Sequence, residues 1–281
     1  MIPNQFTYKK ANSLDEALSL LNEHGDDAKL LAGGHSLIPA LKLRLNDPSV
    51  LIDVSMIDSL QSIEEKDGNV VIGAMVTHGA IVDSDLVKQK IGFFSEAADL
   101  IGDVQVRNRG TIGGSIAHAD PAADWPALLL ASESTIHVQS SGGSREISAE
   151  DFFQGLYMTA LEDNEIITAI SVPIRAGSKS TYVKFMQPAS RFAIVGCAAL
   201  VTGNGTAESV RIAFSGVSAK PFRDKTVEAA LEGKSLSAET IAEATSKAAE
   251  GVSVMGDHYA SEAYRKQMAK VYCKRALSSL V

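Results

Sequence analysis

The chain has 281 residues, 45% hydrophobic and 21% charged, enough for one large core or two modest domains. A formal net charge of -8 without any Lys/Arg block argues against a nucleic-acid footprint. The two cysteines, Cys197 and Cys273, lie far apart and form no CxxC pair, so no iron–sulfur or zinc-thiolate site is expected in the chain itself, and a reducing compartment suits them.

The opening MIPNQFTYKK has neither the basic nor the apolar region of a signal peptide. No stretch approaches the roughly 20 apolar residues of a membrane span, so the expected location is cytoplasmic. Ser13 and Glu16 have capping-box spacing and predict a helix to about His24, with Asp15 and Glu16 at the positive end of its dipole. Lys29 to Ala32 reads as a short strand running into a glycine turn. Pro39 opens an apolar stretch, helical or extended, and Val50 to Val54 is a strand. These first 55 or so residues predict a small βαβ unit. Ser62–Glu65 and Asn69–Ile72 predict strands joined at KDG. Helical periodicity dominates from Thr77 to Gly102, and a strand-and-turn section is expected from Thr111. Asp120–Pro121 predicts a helix start, continuing to Ala131 with an irregularity at Pro126.

Thr135–Val138 and Ser144–Ile147 read as a hairpin around SGG, followed by a helix or turn at Phe152–Tyr157 and a strand at Ile166–Pro173. The composition changes near Arg175–Ser180, a domain boundary on this reading. Three strands then follow, Thr181–Met186, Ile194–Val201 and Val210–Ser218, with Cys197 in the apolar core of the second. Helices over Lys225–Leu231, Ser237–Ala249 and Ala260–Leu280 complete an α+β unit with three or four antiparallel strands.

Two segments carry the chemical signal. LAGGHSLIPALKLR at 31–44 and GTIGGS at 110–115 share a plan: paired glycines, a small hydroxyl residue close behind, then an apolar stretch. Paired glycines let backbone N–H groups approach an anion with no Cβ in the way, and such turns hold phosphate without a basic residue. Together the two suggest a diphosphate held mainly by backbone, although a tight turn after a strand explains either one alone. Arg107 and Arg109 alternate with other residues, so a strand would point both one way, toward phosphate, Asp103 or another subunit. His118 and Asp120 suggest acid–base work, against the simpler readings of a structural histidine and a helix cap. Asp124, one turn into the expected helix, could accept from a ligand's hydroxyls. There is no GxSxG, HExxH, Walker lysine or Rossmann fingerprint, and the six histidines lack metal-ligand spacing. Any redox chemistry would therefore belong to a cofactor.

AGGHSLIPALKLR at 32–44 and TIGGSIAHADPAADWPALLLA at 111–131 resemble the two signature stretches of the FAD-binding medium subunit of aerobic-type carbon monoxide dehydrogenase, within the xanthine dehydrogenase (molybdenum hydroxylase) family. IGDVQVRNRG, NEIITAISVP and YVKFMQPASRFAIVG extend the resemblance over nearly the whole chain. It implies an α+β fold: a two-subdomain FAD-binding module of the vanillyl-alcohol-oxidase-like type at 1–175, with subdomains of about 1–55 and 56–175, then a flavoprotein domain at 176–281. It implies FAD contacts from Ala32, Gly33, Gly34, His35, Ser36 and Leu37, and from Thr111, Gly113, Gly114, Ser115 and His118, with the pyrophosphate between the turns. Asp124, Ile167 and Lys184 would lie along the cofactor. Phe192 takes the place of a tyrosine that several members carry near the flavin ring.

The implied partners are a molybdopterin-containing large subunit and a small subunit with two [2Fe-2S] clusters, in a dimer of heterotrimers. The flavin subunit would pass cluster electrons to an external acceptor such as quinone, NAD or oxygen, and would meet the inner face of a membrane only through partners. A stand-alone FAD-dependent oxidase or reductase is the alternative, but it would need a larger substrate domain than the residues after Arg175 supply.

Overall fold

The computed structural model describes residues 2–281. The N-terminal segment forms a parallel three-stranded sheet from Thr7–Lys10, Ala28–Leu31 and Val50–Asp53, with the last strand in the middle. Helices Leu14–His24 and Leu37–Lys42 make the crossovers. The Ser13 side chain caps the first helix by accepting from the Glu16 amide at 3.1 Å. Glu16 does not close the expected capping box; its carboxylate reaches one residue further back, to the Asn12 amide at 2.8 Å. Ala17, Leu18, Leu21 and Ile52 fill the core beneath. Strand Thr7–Lys10 escapes a pattern search because TYKK is polar and mostly exposed; its order comes from backbone pairing with Val50–Asp53.

The second sheet is antiparallel, in the order Ile63–Lys66, Asn69–Gly73, Ile166–Pro173, Thr135–Ser140, Gly143–Ser148. Asp67 and Gly68 both take positive φ, 50° and 75°, the left-handed pair that a tight hairpin of this twist requires. The helical stretch after Thr77 divides into His78–Asp83, Asp85–Lys90 and Gly92–Asp99. Ser84 is the first break: it ends one helix and caps the next by accepting from the Val87 amide.

Several expectations are corrected in the following segment. Val104–Arg107 is a helical turn capped by Asp103, so Arg107 and Arg109 share no strand face. Arg107 instead donates to the Ile101 carbonyl at 3.1 Å and pairs with Asp99. The section from Thr111 is the helix Ile112–His118, because the Thr111 hydroxyl caps it and Ile112 and Ile116 bury one face. The next helix begins at Trp125, not at Pro121. Asp120 accepts from Ala122 within the preceding loop, and Asp124 is the residue before the helix rather than one turn inside it. Pro126 falls in the first turn, where its missing N–H costs no helical bond, so it introduces no irregularity.

All of Trp125–Ser132 is buried. This helix packs the second sheet onto a C-terminal antiparallel sheet, ordered Lys179–Met186, Ala193–Thr202, Ser209–Ser215, Phe222–Arg223; one core cluster runs from Leu129 and Ile170 to Tyr182, Ala198 and Leu200. At the helix end, Glu133 gathers Arg175, Arg211 at 2.8 Å and Arg223 at 2.9 Å, tying the segment between the sheets to the C-terminal strands. Helices Lys225–Leu231, Ala238–Thr245 and Glu262–Ser278 cover the far face. The second of these stops at Thr245, short of the expected Ala249. Cys197 and Cys273 are both buried and free, in the one core cluster between this sheet and the last helix.

Candidate functional site

The two glycine turns touch. A Cβ on Gly33 would lie 2.1 Å from the Arg109 carbonyl oxygen and 2.9 Å from the Gly110 Cα. One on Gly114 would lie 3.3 Å from the Ala32 Cβ. Gly33 is therefore required by backbone-to-backbone approach, and Gly34, at φ 76°, by its left-handed conformation. Gly113 packs as closely on Ala74, with 2.6 Å between a Cβ and the Ala74 carbonyl.

The turns differ in what their amides do. Among the described residues, no protein acceptor meets the N–H groups of Gly33, Gly34, His35 or Ser36. Ser36 precedes helix Leu37–Lys42 but makes no side-chain capping bond, and both it and His35 are exposed. In the second turn, Ile112 donates to Val76, Gly113 to Ala74 and Gly114 to the Thr111 hydroxyl. Ser115 is partly buried one residue further into the helix. Ile167 is joined to this turn through backbone: Thr168 accepts from the Ala74 amide, and the Ala74 carbonyl accepts from Gly113. Its side chain is buried in the core.

Beneath the junction lies His78, whose place in the sequence marks no role for it beyond the absence of metal-ligand spacing. Its amide donates to the Gly110 carbonyl at 2.9 Å, and its Nδ1 accepts from the Trp125 indole at 3.2 Å. Burial, helped by the neighbouring His35 and Arg107, pushes its pKa down to about 3, so the imidazole is neutral. The spacing of TH after a strand gives no hint of this; only the packing of Trp125 does.

At the far end of helix Ile112–His118, about 10 Å away at 1.5 Å per residue, the exposed His118 ring lies 5.1 Å from Tyr157. Here a cleft of about 580 Å³ opens between the Asp120–Ala122 loop and the C-terminal sheet, lined by Tyr157, Gln187, Phe192, Tyr259 and Arg265. Phe192 is 45% exposed. Arg265 fixes the cleft floor by donating to the carbonyls of Ile194 at 2.7 Å and Gly216 at 2.6 Å.

Asp124 and Lys184 meet each other. Their buried side chains pair at 2.8 Å, and Lys184 also donates to the Leu100 carbonyl at 3.1 Å. The Tyr182 hydroxyl donates to the other Asp124 oxygen. Burial raises the Asp124 pKa, opposed by Lys184 and by the Tyr182 bond. Burial and Asp124 drive the tyrosine far upward, so it stays a donor. Tyr182 was legible in principle, since it lies two residues before Lys184 on the same strand face. No His/Cys/Asp/Glu group among the described residues could hold a metal ion, and no helix is long and apolar enough to cross a membrane.

The description "FAD binding domain in molybdopterin dehydrogenase" matches residues 4–175, and "CO dehydrogenase flavoprotein C-terminal domain" matches 180–280. The chain is 38% identical to the glyceraldehyde dehydrogenase medium chain of Sulfolobus acidocaldarius over 281 residues, covering 100% of both. A chain of carbon monoxide dehydrogenase from Hydrogenophaga pseudoflava superposes with a TM-score of 0.96 at 41% identity, covering 100% of this chain and 98% of that one. A chain of quinoline 2-oxidoreductase from Pseudomonas putida 86 gives 0.95 at 32%, with the same coverages of 100% and 98%.

Proposed function

The chain belongs to the FAD-binding medium-subunit family of the molybdopterin dehydrogenases, and we propose that its two glycine turns hold the FAD pyrophosphate while the cleft at Phe192 receives the flavin ring. The observation that carries this reading is the run of unspent amides from Gly33 to Ser36, set against the second turn by the close approach of Gly33 to Arg109. Such amides suit a dianionic diphosphate, and the N-terminus of helix Ile112–His118 adds the positive end of its dipole. The roughly 10 Å between turns and cleft is a spacing that a ribityl chain spans.

When bound, FAD supplies the ability to take up electrons singly and release them singly or in pairs. This chain's own residues bind and orient it. Ala32, Gly33, Gly34, His35, Ser36 and Leu37 receive one side of the diphosphate, Thr111, Gly113, Gly114 and Ser115 frame the other, and His118 contacts the cofactor from the cleft end of their helix. Asp124 and Lys184, locked together with Tyr182, form a buried polar cluster beside the Asp120–Ala122 loop, and Ile167 is buried in the adjoining core; on this reading they lie along the cofactor. Phe192 offers an aromatic face that excludes water from the ring. The division at 1–175 and 176–281 follows the same reading, with the cleft between the two parts.

The partners on this reading are a molybdopterin-containing large subunit and a small subunit with two [2Fe-2S] clusters, assembled as a dimer of heterotrimers. Electrons then reach an external acceptor through the flavin, and any membrane attachment is through partners. The similar proteins carry the names of different substrates, glyceraldehyde, carbon monoxide and quinoline, on one fold. That supports substrate choice outside this subunit. An absorption spectrum before and after acid precipitation tests the assignment. Twin flavin bands released into the supernatant are the expected result. A chain that stays colourless after incubation with FAD overturns it.

A further inference from the structure

The cleft gathers much of the ring surface that this chain leaves in water. Among the described residues six aromatic side chains are exposed, Phe6, Tyr8, Tyr157, Phe192, Tyr259 and Tyr264, and three of them line this one cleft. Scattered exposed rings need no explanation, but rings collected in a concave site mark a place for a ligand. Tyr157 and Tyr259, each 54% exposed, belong to different walls. Tyr157 sits at the tip between strands Phe153–Gly155 and Met158–Thr159, with its hydroxyl 3.4 Å from Asp120. That contact is too long to lock the ring in place. Tyr259 is held from behind: Asp257 accepts from its amide and from that of Ala260, both at 2.9 Å, and pairs with the buried Arg265. The His258 ring supports Tyr259 at 3.8 Å between centroids.

The rest of the lining sets the charge that a ligand can carry there. Its charged groups are Asp120, Asp257 and Arg265, and the last two neutralise one another. Asp120 has no cation against it, only the Ala122 amide and the Tyr157 hydroxyl. The backbone offers an anion nothing either, because the amides of Ala193, Gly216, Met255 and Tyr259 all donate to protein acceptors. This reverses the arrangement at Gly33–Ser36, where four amides stay open. A diphosphate entering the cleft would lose its water for a carboxylate and no free donor, which is costly. An uncharged planar ring would meet aromatic faces instead.

We propose that Tyr157 and Tyr259 select the electron acceptor, clamping an uncharged planar ring of the quinone type beside the flavin and rejecting anionic dinucleotides. The proposal rests on the FAD reading above. Tyrosine hydroxyls donate to carbonyl oxygens such as those of a quinone. In the step that this contact serves, reduced FAD gives up two electrons and two protons. The two quinone carbonyls become hydroxyls, and the flavin returns to its oxidised form.

The test is calorimetric titration of the full chain loaded with oxidised FAD, so that no electrons flow, using 2-methyl-1,4-naphthoquinone and, separately, NAD. The quinone should bind at least about 10-fold more tightly than NAD, since only the latter brings an unpaired anion. Tyr157→Ala and Tyr259→Ala should each weaken the quinone about 10-fold, the worth of one aromatic contact. Tyr259→Phe keeps the ring and should stay within about 3-fold of the parent. NAD binding as tightly as the quinone, or quinone affinity unchanged in both alanine variants, overturns the proposal and leaves the FAD reading intact. So does a parent that holds FAD but binds no quinone. Loss of FAD from the alanine variants also overturns it, by making the tyrosines flavin contacts. A parent chain that binds no FAD overturns both.

Discussion

The two glycine turns look alike in sequence and do opposite things in the fold. In the first, four successive amides find no acceptor among the described residues, and Ser36 makes no capping bond. In the second, the amides of Ile112, Gly113 and Gly114 are all satisfied within the protein, and Thr111 is a buried cap. One turn leaves its amides open, as the proposed diphosphate site requires, and the other spends them holding a helix in place. A repeated motif therefore does not imply a repeated role; the number of hydrogen-bond donors left over separates the two.

The comparison breaks most severely at the contact between the turns. Gly33→Val places a branched side chain into the Arg109 carbonyl, where the neighbour is backbone and cannot rotate away. Overpacking of this kind costs about 1–3 kcal/mol or more. FAD retention is expected to be lost and the thermal midpoint lowered, as read by gel-filtration absorbance and calorimetry. Near-normal FAD affinity would show that the two turns need not touch.

Ser36→Ala sharpens the difference from the other side. Because Ser36 caps nothing, stability should stay within about 0.5 kcal/mol of the parent. Loss of a hydrogen bond to a charged group, about 1.5–3 kcal/mol, should weaken FAD binding at least 10-fold by equilibrium titration.

His78 governs the floor that both turns share. Its pKa is about 3 in the folded protein against about 6.5 in the unfolded chain. Between those values the unfolded state binds more protons, so stability rises with pH and is lost as pH falls from 6.5 toward 3. The slope from this group is at most about 1.4 kcal/mol per pH unit. Urea unfolding at pH 5 and pH 7 should show a smaller difference between the two pH values in His78→Asn than in the parent. An equal difference would mean that the imidazole is not held neutral.

The smallest effect is expected at the cap of the second turn. Thr111→Val removes the acceptor for the Gly114 amide and should cost about 1 kcal/mol of stability. Its FAD affinity should change less than that of Ser36→Ala, by isothermal titration. A larger loss of affinity than in Ser36→Ala would reverse the assignment of open and closed turn.

Hydrophobic runs and turn residues made most strands readable, including Val50–Asp53, Ile166–Pro173 and the long Ala193–Thr202 strand. Buried strands announce themselves because their side chains must leave water. Thr7–Lys10 did not, since a polar edge strand is held by the backbone of its neighbour. The helix Ile112–His118 was read as strand and turn because two glycines obscured a threonine cap and an isoleucine pair with helical spacing.

The local sequence determined where glycine, proline and capping side chains allow the chain to turn, and family resemblance added which cofactor such turns accompany. Only the tertiary structure decided which amides remain free, since that depends on whether a carbonyl from Val76, Ala74 or Thr111's own side chain arrives to meet them. It likewise decided that Asp124 and Lys184 face each other, with Tyr182 on the second Asp124 oxygen. Hydrogen-bond satisfaction and charge balance are properties of neighbours far apart in the chain, and residue spacing does not encode them.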